Sequence, residues 1–316
     1  MAGHNPQKKI LVIHYSQSGQ LTRVLESITA PLAAAPNLSI DHLVITPEQD
    51  YPFPWPLLRF INAFPESVYD KGCALQTPGG IDPATDYDLV ILGYQVWYLS
   101  PSIPTTAFLQ SDYAHRLLNN KKVVTVVACR NMWLKAQEKV KHHLARIGAG
   151  LIGNIALVDE AGSALSFFAT PLWVLTGKKG PFPLGIPKAG VSDGEISAAS
   201  RFGQRILEGL NGQRPMDDTL LRGTGAVTVN VNMIASENIA LRSFRIWGKL
   251  FLALGRPDAL SRQLLAIIYS VFLVTMILTV VPLNVLVKKL LTPITRERNA
   301  QLREYYAMPS GEELHR

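Results

Sequence analysis

Apolar residues along the chain keep two different periods. Residues 10–13 (Ile-Leu-Val-Ile), 88–93 (Asp-Leu-Val-Ile-Leu-Gly), 123–128 and 151–158 are short apolar runs, mostly rich in β-branched residues. That is the pattern of strands buried on both faces of a parallel sheet. Residues 38–46 alternate instead, which suits a strand at a sheet edge. Between the runs the period lengthens. Leu21, Val24, Leu25 and Ile28 recur at helical spacing, a helix is expected over about 57–63, and another over 135–147, ended by Gly-Ala-Gly at 148–150. At 192–195, Ser-Asp-Gly-Glu reads as a capping box that opens a helix with Ile196, Ala199, Phe202, Ile206 and Leu210 on one face. Five strands alternating with helices predict an α/β fold over residues 1–210, a doubly wound five-stranded parallel sheet.

Three turns of this pattern carry candidate chemistry. Ser16-Gln17-Ser18-Gly19 joins the first strand to the first helix. The backbone N–H groups and positive dipole end of that helix suit a phosphate, and the serine hydroxyls add donors without bulk. The turn lacks the Gly-Lys-Ser/Thr ending of a Walker loop and the spaced glycines of a dinucleotide fingerprint. The third strand runs into residues 94–104, where Trp97 and Tyr98 precede two prolines, and the fourth ends in Cys129-Arg-Asn-Met-Trp.

The stretch over residues 13–23, Ile-His-Tyr-Ser-Gln-Ser-Gly-Gln-Leu-Thr-Arg, resembles the phosphate loop of flavodoxin-like proteins, Ser/Thr-x-Ser/Thr-Gly-x-Thr. Ser16, Ser18 and Gly19 match; Leu21 takes the place of the last threonine, as in flavodoxin-like quinone reductases, and Thr22 comes one residue late. Residues 94–98 resemble the quinone-reductase segment Gly-x-Pro-x-Trp-x, with Gln95 where proline is frequent. This resemblance implies strand order 2-1-3-4-5 and a ligand at the switch point between strands one and three. It implies FMN, with Ser16, Gln17, Ser18, Gly19, Gln20, Leu21 and Thr22 at the phosphate. Gln95, Val96, Trp97, Tyr98, Cys129, Arg130 and Asn131 would surround the ring. The arrangement as a whole resembles the flavodoxin-like protein of bacterial dialkylresorcinol biosynthesis. That resemblance implies an oxidoreductase that aromatises an alkylated cyclohexanedione, with Tyr94, Tyr98 or His14 as proton acceptor by loop position. No thiolase-type Cys-His-Asn/His arrangement is present, so carbon–carbon condensation is not expected. Two alternatives stay open: a quinone reductase with NAD(P)H as co-substrate, and a non-enzymatic scaffold that tethers biosynthetic partner enzymes. A homodimer is a further expectation.

Composition narrows the setting. Two cysteines, Cys73 and Cys129, give neither a disulfide framework nor a metal cluster, and Cys129 reads as a buried inert thiol. Residues 1–9 are polar and carry no secretory signal. His142 and His143 are adjacent, diverge on a helix, and read as solvated. Tyr51, Phe53 and Trp55, in a Pro-rich stretch over 47–86, read either as a substrate wall or as a packed crossover. Residues 160–190 are an apolar insertion, either a lid over an oily substrate or a plain excursion.

The net charge of +7 comes without a nucleic-acid motif, and the basic residues crowd toward the C-terminal third. No nucleic acid is expected; a membrane surface is the better partner. Residues 211–237 read as a connector with a short strand over 226–231. Residues 238–263 read as an interfacial helix, with Arg242, Arg245, Lys249 and Arg256 opposite Ala240, Phe244, Trp247, Phe251 and Leu254. Residues 264–287 carry no charge and are long enough to cross a bilayer, with Pro282 near the end and a polar tail over 288–316. Five basic residues flank each side, so the positive-inside rule is tied. The catalytic domain is expected on the cytoplasmic face of the inner membrane.

Overall fold

All five expected strands pair in parallel. The computed structural model describes residues 7–159, 166–257 and 259–311, with backbone alone for 166–167, 277 and 280–296. In chain order the elements are β1 (Lys8–His14), α1 (Gln20–Ala33), β2 (Leu38–Val44), α2 (Leu57–Val68) and β3 (Leu89–Tyr94). A two-stranded hairpin follows, β4 (Val96–Trp97) and β5 (Ser100–Pro101), then α3 (Ile103–Leu109), α4 (Asp112–Leu118) and β6 (Lys122–Cys129). Next come α5 (Leu134–Ile147), β7 (Gly150–Val158), α6 (Ser166–Thr176), α7 (Asp193–Ala198) and α8 (Ser200–Leu210). Two long helices end the list, α9 (Val231–Ala253) and α10 (Leu260–Ala307).

The sheet order is β2-β1-β3-β6-β7, which is the expected 2-1-3-4-5 once the hairpin is set aside. β1 is an interior strand, with Val12 opposite His42 on one side and Ile91 on the other. Its apolar run, Ile10 to Ile13, is fully buried, as are Leu89 to Leu92 of β3, which explains why these strands read as continuous rather than alternating. Four buried polar groups stitch the middle of the sheet to α5. The Tyr94 hydroxyl donates to Gln137 Oε1 (2.6 Å), Gln137 Nε2 donates to Thr125 Oγ1 (3.0 Å), and Thr125 Oγ1 donates to Asn154 Oδ1 (2.9 Å). The Ser192 hydroxyl accepts from Glu195 N, so the capping signal is real, and Ile196, Ala199, Phe202, Ile206 and Leu210 are all buried.

The expected strand over 226–231 does not form. Ala226, Val227 and Val229 lie buried beside the open edge of β7, where Ala156 N donates to Ala226 O (2.8 Å), and α9 begins already at Val231. Further along that edge, Asn154 N donates to Ser310 Oγ (2.6 Å), and Ser310 is buried. One contact thus comes from within the connector between α8 and α9 and the other from beyond α10. The edge of β7 is thus covered by loop segments rather than by a further strand.

A second core lies on α2. Ile61, Phe64 and Val68 meet Phe251 of α9 and Leu265, Ala266 and Tyr269 of α10, with Phe244, Trp247 and Phe272 packed around them. The apolar arc of α9 therefore faces its own domain. Phe64 and Tyr269 stack at 4.8 Å, and Trp247 lies 4.9 Å from Phe272. Arg262, fully buried, forks onto both oxygens of Glu66 (2.8 and 3.0 Å) and donates to Asn62 O (2.8 Å). His143 is buried too, against the expectation for 142–143, because its side of α5 turns inward; burial lowers its pKa. Residues 264–287 fall within α10, but the side chains of 277 and 280–287 lie outside the described residues. Among the described residues no helix is long and apolar enough to cross a membrane.

The Arg262–Glu66 pair sets a measurable dependence. Glu66→Ala leaves a buried guanidinium without its carboxylate and is expected to cost about 3 kcal/mol, with Glu66→Gln costing less. Thermal unfolding of the full chain checks the order of the three proteins.

Candidate functional site

The loops after β1, β3, β6 and β7 all leave the carboxyl edge of the sheet, and β1 is the strand at which the order reverses. A cavity of about 330 Å³ lies there, within the size range of small-ligand sites. Its floor is Gln17, Ser18, Gln20 and Leu21; one wall is Gln95, Val96, Trp97, Tyr98 and Leu99, and another is Ala128, Cys129, Arg130 and Met132. Thr170, Pro171, Trp173 and Val174 of α6 complete it with Phe53, Asp159, Gly190 and Phe244.

The floor is a helix N-terminus prepared for an anion. Gly19 stands at the N-cap of α1 with φ 76° and ψ −9°, a left-handed conformation that glycine adopts without cost, and no side chain caps the first turn. The Ser16 hydroxyl is buried without a partner beside it. Gln17 N donates to Gln95 Oε1 (3.2 Å), which ties the first loop to the second, while Gln17 Nε2 donates to Pro52 O (3.0 Å). Gln20 reaches the other way. Its amide donates to Val191 O (3.2 Å) and accepts from Val191 N (3.3 Å), so α1 holds the return of the insertion.

The second loop is a tight hairpin. Trp97 pairs with Ser100, leaving Tyr98 (φ 49°) and Leu99 (φ 62°) as the two central residues, both in the left-handed region where glycine or asparagine is usual. Such strain costs about 1–3 kcal/mol per residue and persists where surroundings over-determine it. Here the Tyr98 hydroxyl donates to Phe60 O (2.5 Å), and Lys139 Nζ of α5 donates to Ser100 Oγ (2.9 Å), Asp70 Oδ1 (2.8 Å) and Val68 O (2.7 Å). Trp97 is wedged among Tyr15, Tyr51 and Trp55, with ring centres 5.8, 4.9 and 4.7 Å away. Tyr51 and Trp55 are thus packing residues of the crossover, and Phe53 reaches the cavity.

The third and fourth loops bring charge. Burial lowers the Arg130 pKa to about 10, and Asp159 opposes that shift, so the guanidinium stays cationic at neutral pH. Asp159 Oδ2 accepts from Gly190 N (3.0 Å). Gly190, at φ 85°, has Gln20 Nε2 2.6 Å and Trp173 3.1 Å from where a Cβ would sit. Thr170, Pro171, Trp173, Val174 and Gly190 of the expected insertion thus wall the cavity, while 160–165 lie outside the described residues. α6 hooks onto the crossover through Trp55 N donating to Val174 O (2.8 Å), and Trp173 packs at 6.0 Å on Phe53 with Lys179 over its ring. Behind the third loop, buried Glu237 of α9 accepts from Leu134 N (3.2 Å) and Lys135 N (2.9 Å) at the start of α5. Burial raises its pKa to about 7 despite those bonds.

Of the residues expected at the site, Gln17, Ser18, Gln20, Leu21, Gln95, Val96, Trp97, Tyr98, Cys129 and Arg130 line the cavity. Ser16, Gly19 and Thr22 shape its floor without lining it, and Asn131 does not line it. Two proton-acceptor candidates are misplaced. Tyr94 is fully buried on Gln137, and His14 is buried with Nε2 3.3 Å from Thr22 Oγ1 and its pKa lowered to about 4 by burial. The third, Tyr98, lines the cavity with its hydroxyl committed to a backbone carbonyl. Burial holds the Cys129 thiol well above its usual pKa, in keeping with an inert role. Sequence reasoning missed Asp159, Met132, Gly190 and Phe244. Asp159 had a positional signal, since it ends the strand next in line at the same edge. Among the described residues no three His, Cys, Asp or Glu side chains gather as a metal site.

Strand order, all-parallel pairing and a cavity at the switch point match a flavodoxin-like doubly wound fold. No protein-family model matches the chain, and no curated protein matches it. Among solved structures it is similar to a flavoprotein in complex with FMN from Lactobacillus acidophilus NCFM (18% identity, 47% of this chain and 93% of that one, TM-score 0.36). It is also similar to a flavodoxin from the domain Archaea (11%, 64% and 99%, TM-score 0.36) and to oxidised flavodoxin 1 from Bacillus cereus (15%, 64% and 98%, TM-score 0.35).

Two outcomes follow from this geometry. Gly190→Ala is expected to push Gln20 and Trp173 apart and loosen α6, costing about 1–3 kcal/mol, visible as faster amide exchange over 166–176. Glu237, with a folded pKa above its unfolded value, contributes stability in full below about pH 4.5 and loses it as pH rises through about 7. Unfolding free energies measured from pH 4 to 8 should show Glu237→Gln gaining on the unsubstituted chain across that window.

Proposed function

We propose that the chain is an FMN-binding oxidoreductase acting on a lipophilic ring substrate held beneath α6. The observation that carries this reading is the convergence, in one cavity, of the anion-ready floor, the strained aromatic hairpin, Arg130 and the apolar underside of the insertion. The residues fit the cofactor: the uncapped first turn of α1 and the partnerless Ser16 hydroxyl suit its phosphate, and Gln95, Val96, Trp97 and Arg130 suit the edge of its ring. Bound FMN supplies the hydride chemistry. Trp173, Pro171, Phe53 and Phe244 would exclude water and align an oily ring, and Arg130 would favour negative charge at its end of the cavity. Asp159, the carboxylate in the cavity wall, would take the substrate proton, in place of Tyr94, Tyr98 and His14. As the particular reaction we propose aromatisation of an alkylated cyclohexanedione to a dialkylresorcinol. It is supported by the resemblance of residues 13–23 and 94–98 and by the apolar walls.

The purified full chain is expected to be yellow or to take up added FMN, with Gly19→Val weakening uptake at least tenfold. With oxygen or an added carrier to reoxidise the flavin, Asp159→Asn should then lower turnover of the cyclohexanedione by a factor of roughly 10²–10⁴ while FMN stays bound. Turnover of quinone with NADPH and none of the dione would move the assignment to quinone reductase. A colourless chain that refuses FMN would leave a scaffold role.

A further inference from the structure

Both described parts of α10 dock on the same domain. Near its start, Arg262 is clasped by Glu66 of α2 (2.8 Å); near its end, Tyr305 donates to Glu138 Oε2 (2.7 Å) and Tyr306 meets Lys135 Nζ (2.9 Å), both on α5. A straight helix would hold Arg262 and Tyr306 about 66 Å apart. On the domain, however, Lys135 lies one turn from Lys139, whose ammonium bonds Val68 O beside Glu66. Even with every side chain in that path fully extended, the two anchors are at most about 55 Å apart. The helix must bend and return. Both ends of α10 are therefore held on one domain, with a bend between Arg262 and Tyr306.

The outgoing arm is apolar all round. Leu265, Ala266 and Tyr269 face the second core, while Leu264, Ile267, Val271, Val274 and Leu278 are half or more exposed on the opposite face. A helix that is apolar all round is ordinarily covered on every side. At 100° per residue, Ile239, Ile246 (72% exposed) and Leu250 of α9 point away from α2 as well, so the two outer faces adjoin. Arg242, Arg245 and Lys249 border this plate on the flank of α9 away from α10, all exposed. From 238 to 279 the chain carries a single acidic residue, Asp258.

We propose that α9 and the described outgoing arm of α10 form a monotopic docking plate for an anionic lipid leaflet, on which the chain rests without crossing. The exposed apolar stripe supplies the buried area and the basic border supplies the charge complement of anionic headgroups. Pro282 and Pro293, in the intervening sequence, are the residues at which sharp helix bends usually occur. Phe244 links the plate to the cavity, since it lines the cavity and packs at 5.9 Å on Tyr98. A lipophilic substrate thus has a short path from leaflet to site, a point that rests on the function proposed above; the plate itself does not.

The test uses the full chain and sealed vesicles, with no flavin readout. Co-flotation should be strong with phosphatidylcholine containing 30% phosphatidylglycerol and at least fivefold weaker with phosphatidylcholine alone. Val271→Asp, on the exposed face, should reduce binding tenfold or more with unchanged circular dichroism. In a background lacking Cys73 and Cys129, Ser261→Cys and Ala300→Cys should both react with an impermeant maleimide added outside. Labelling of one site only after permeabilisation would establish a single crossing and overturn the proposal. So would absence of vesicle binding, whether the chain is then monomeric or buries the plate against a second copy.

Discussion

The constraint on which everything else depends is the reversal of strand order at β1. A parallel sheet whose first strand has β2 on one side and β3 on the other must send its first two crossovers to opposite faces, and the turns after β1 and β3 then part to leave a crevice. Once that crevice exists, the loops after β6 and β7 reach it by adjacency alone. The chemistry is assembled by connectivity before any side chain is chosen, which is why residues as distant as Gln17, Arg130 and Asp159 line one cavity.

Polar groups then fix what the sheet only approximates. Gln20 grips both backbone groups of Val191, Asp159 accepts from Gly190, and Gln95 bridges to the first loop. Each bond contributes modestly, about 1 kcal/mol, but each partner would cost more if buried and left unpaired. Together they hold Gly190, Val191 and the first two loops in fixed positions around the cavity. Glu237 does the same for the third loop: its carboxylate sits at the start of α5 and so couples α9 to the residues just before it. Strain at Tyr98 and Leu99 is held by this same web, through Phe60 and Lys139.

Much of this architecture was legible beforehand. The buried strands announced themselves because both faces are covered, and the cap at Ser192 because one hydroxyl and one amide decide it. What escaped notice had no local signature. The arc of Phe244, Trp247 and Phe251 is equally suited to lipid and to protein, and only tertiary structure shows that Phe64, Tyr98 and Tyr269 occupy it. α6 was hidden because Pro171 and its aromatic neighbours read as loop, while its helical turns are stabilised by the pocket it closes. Alternation over 226–231 was real, but its apolar members face a sheet edge without joining it. Tyr94 and His14 sit at strand ends, as expected of site residues, yet their side chains point into packed interior rather than toward the crevice.

The cover over the open edge of β7 has a consequence for how the chain is made. Asn154 waits for Ser310, which is synthesised 156 residues later. At about 5–20 residues per second that is roughly 8–30 seconds during which part of a finished strand faces solvent or a neighbouring nascent chain unpaired. Ala226 arrives sooner and shields Ala156, so the exposure is graded along the strand. The sheet's last seam is thus closed by time as well as by distance, and chains crowded on one message run their greatest risk of pairing with each other in that interval.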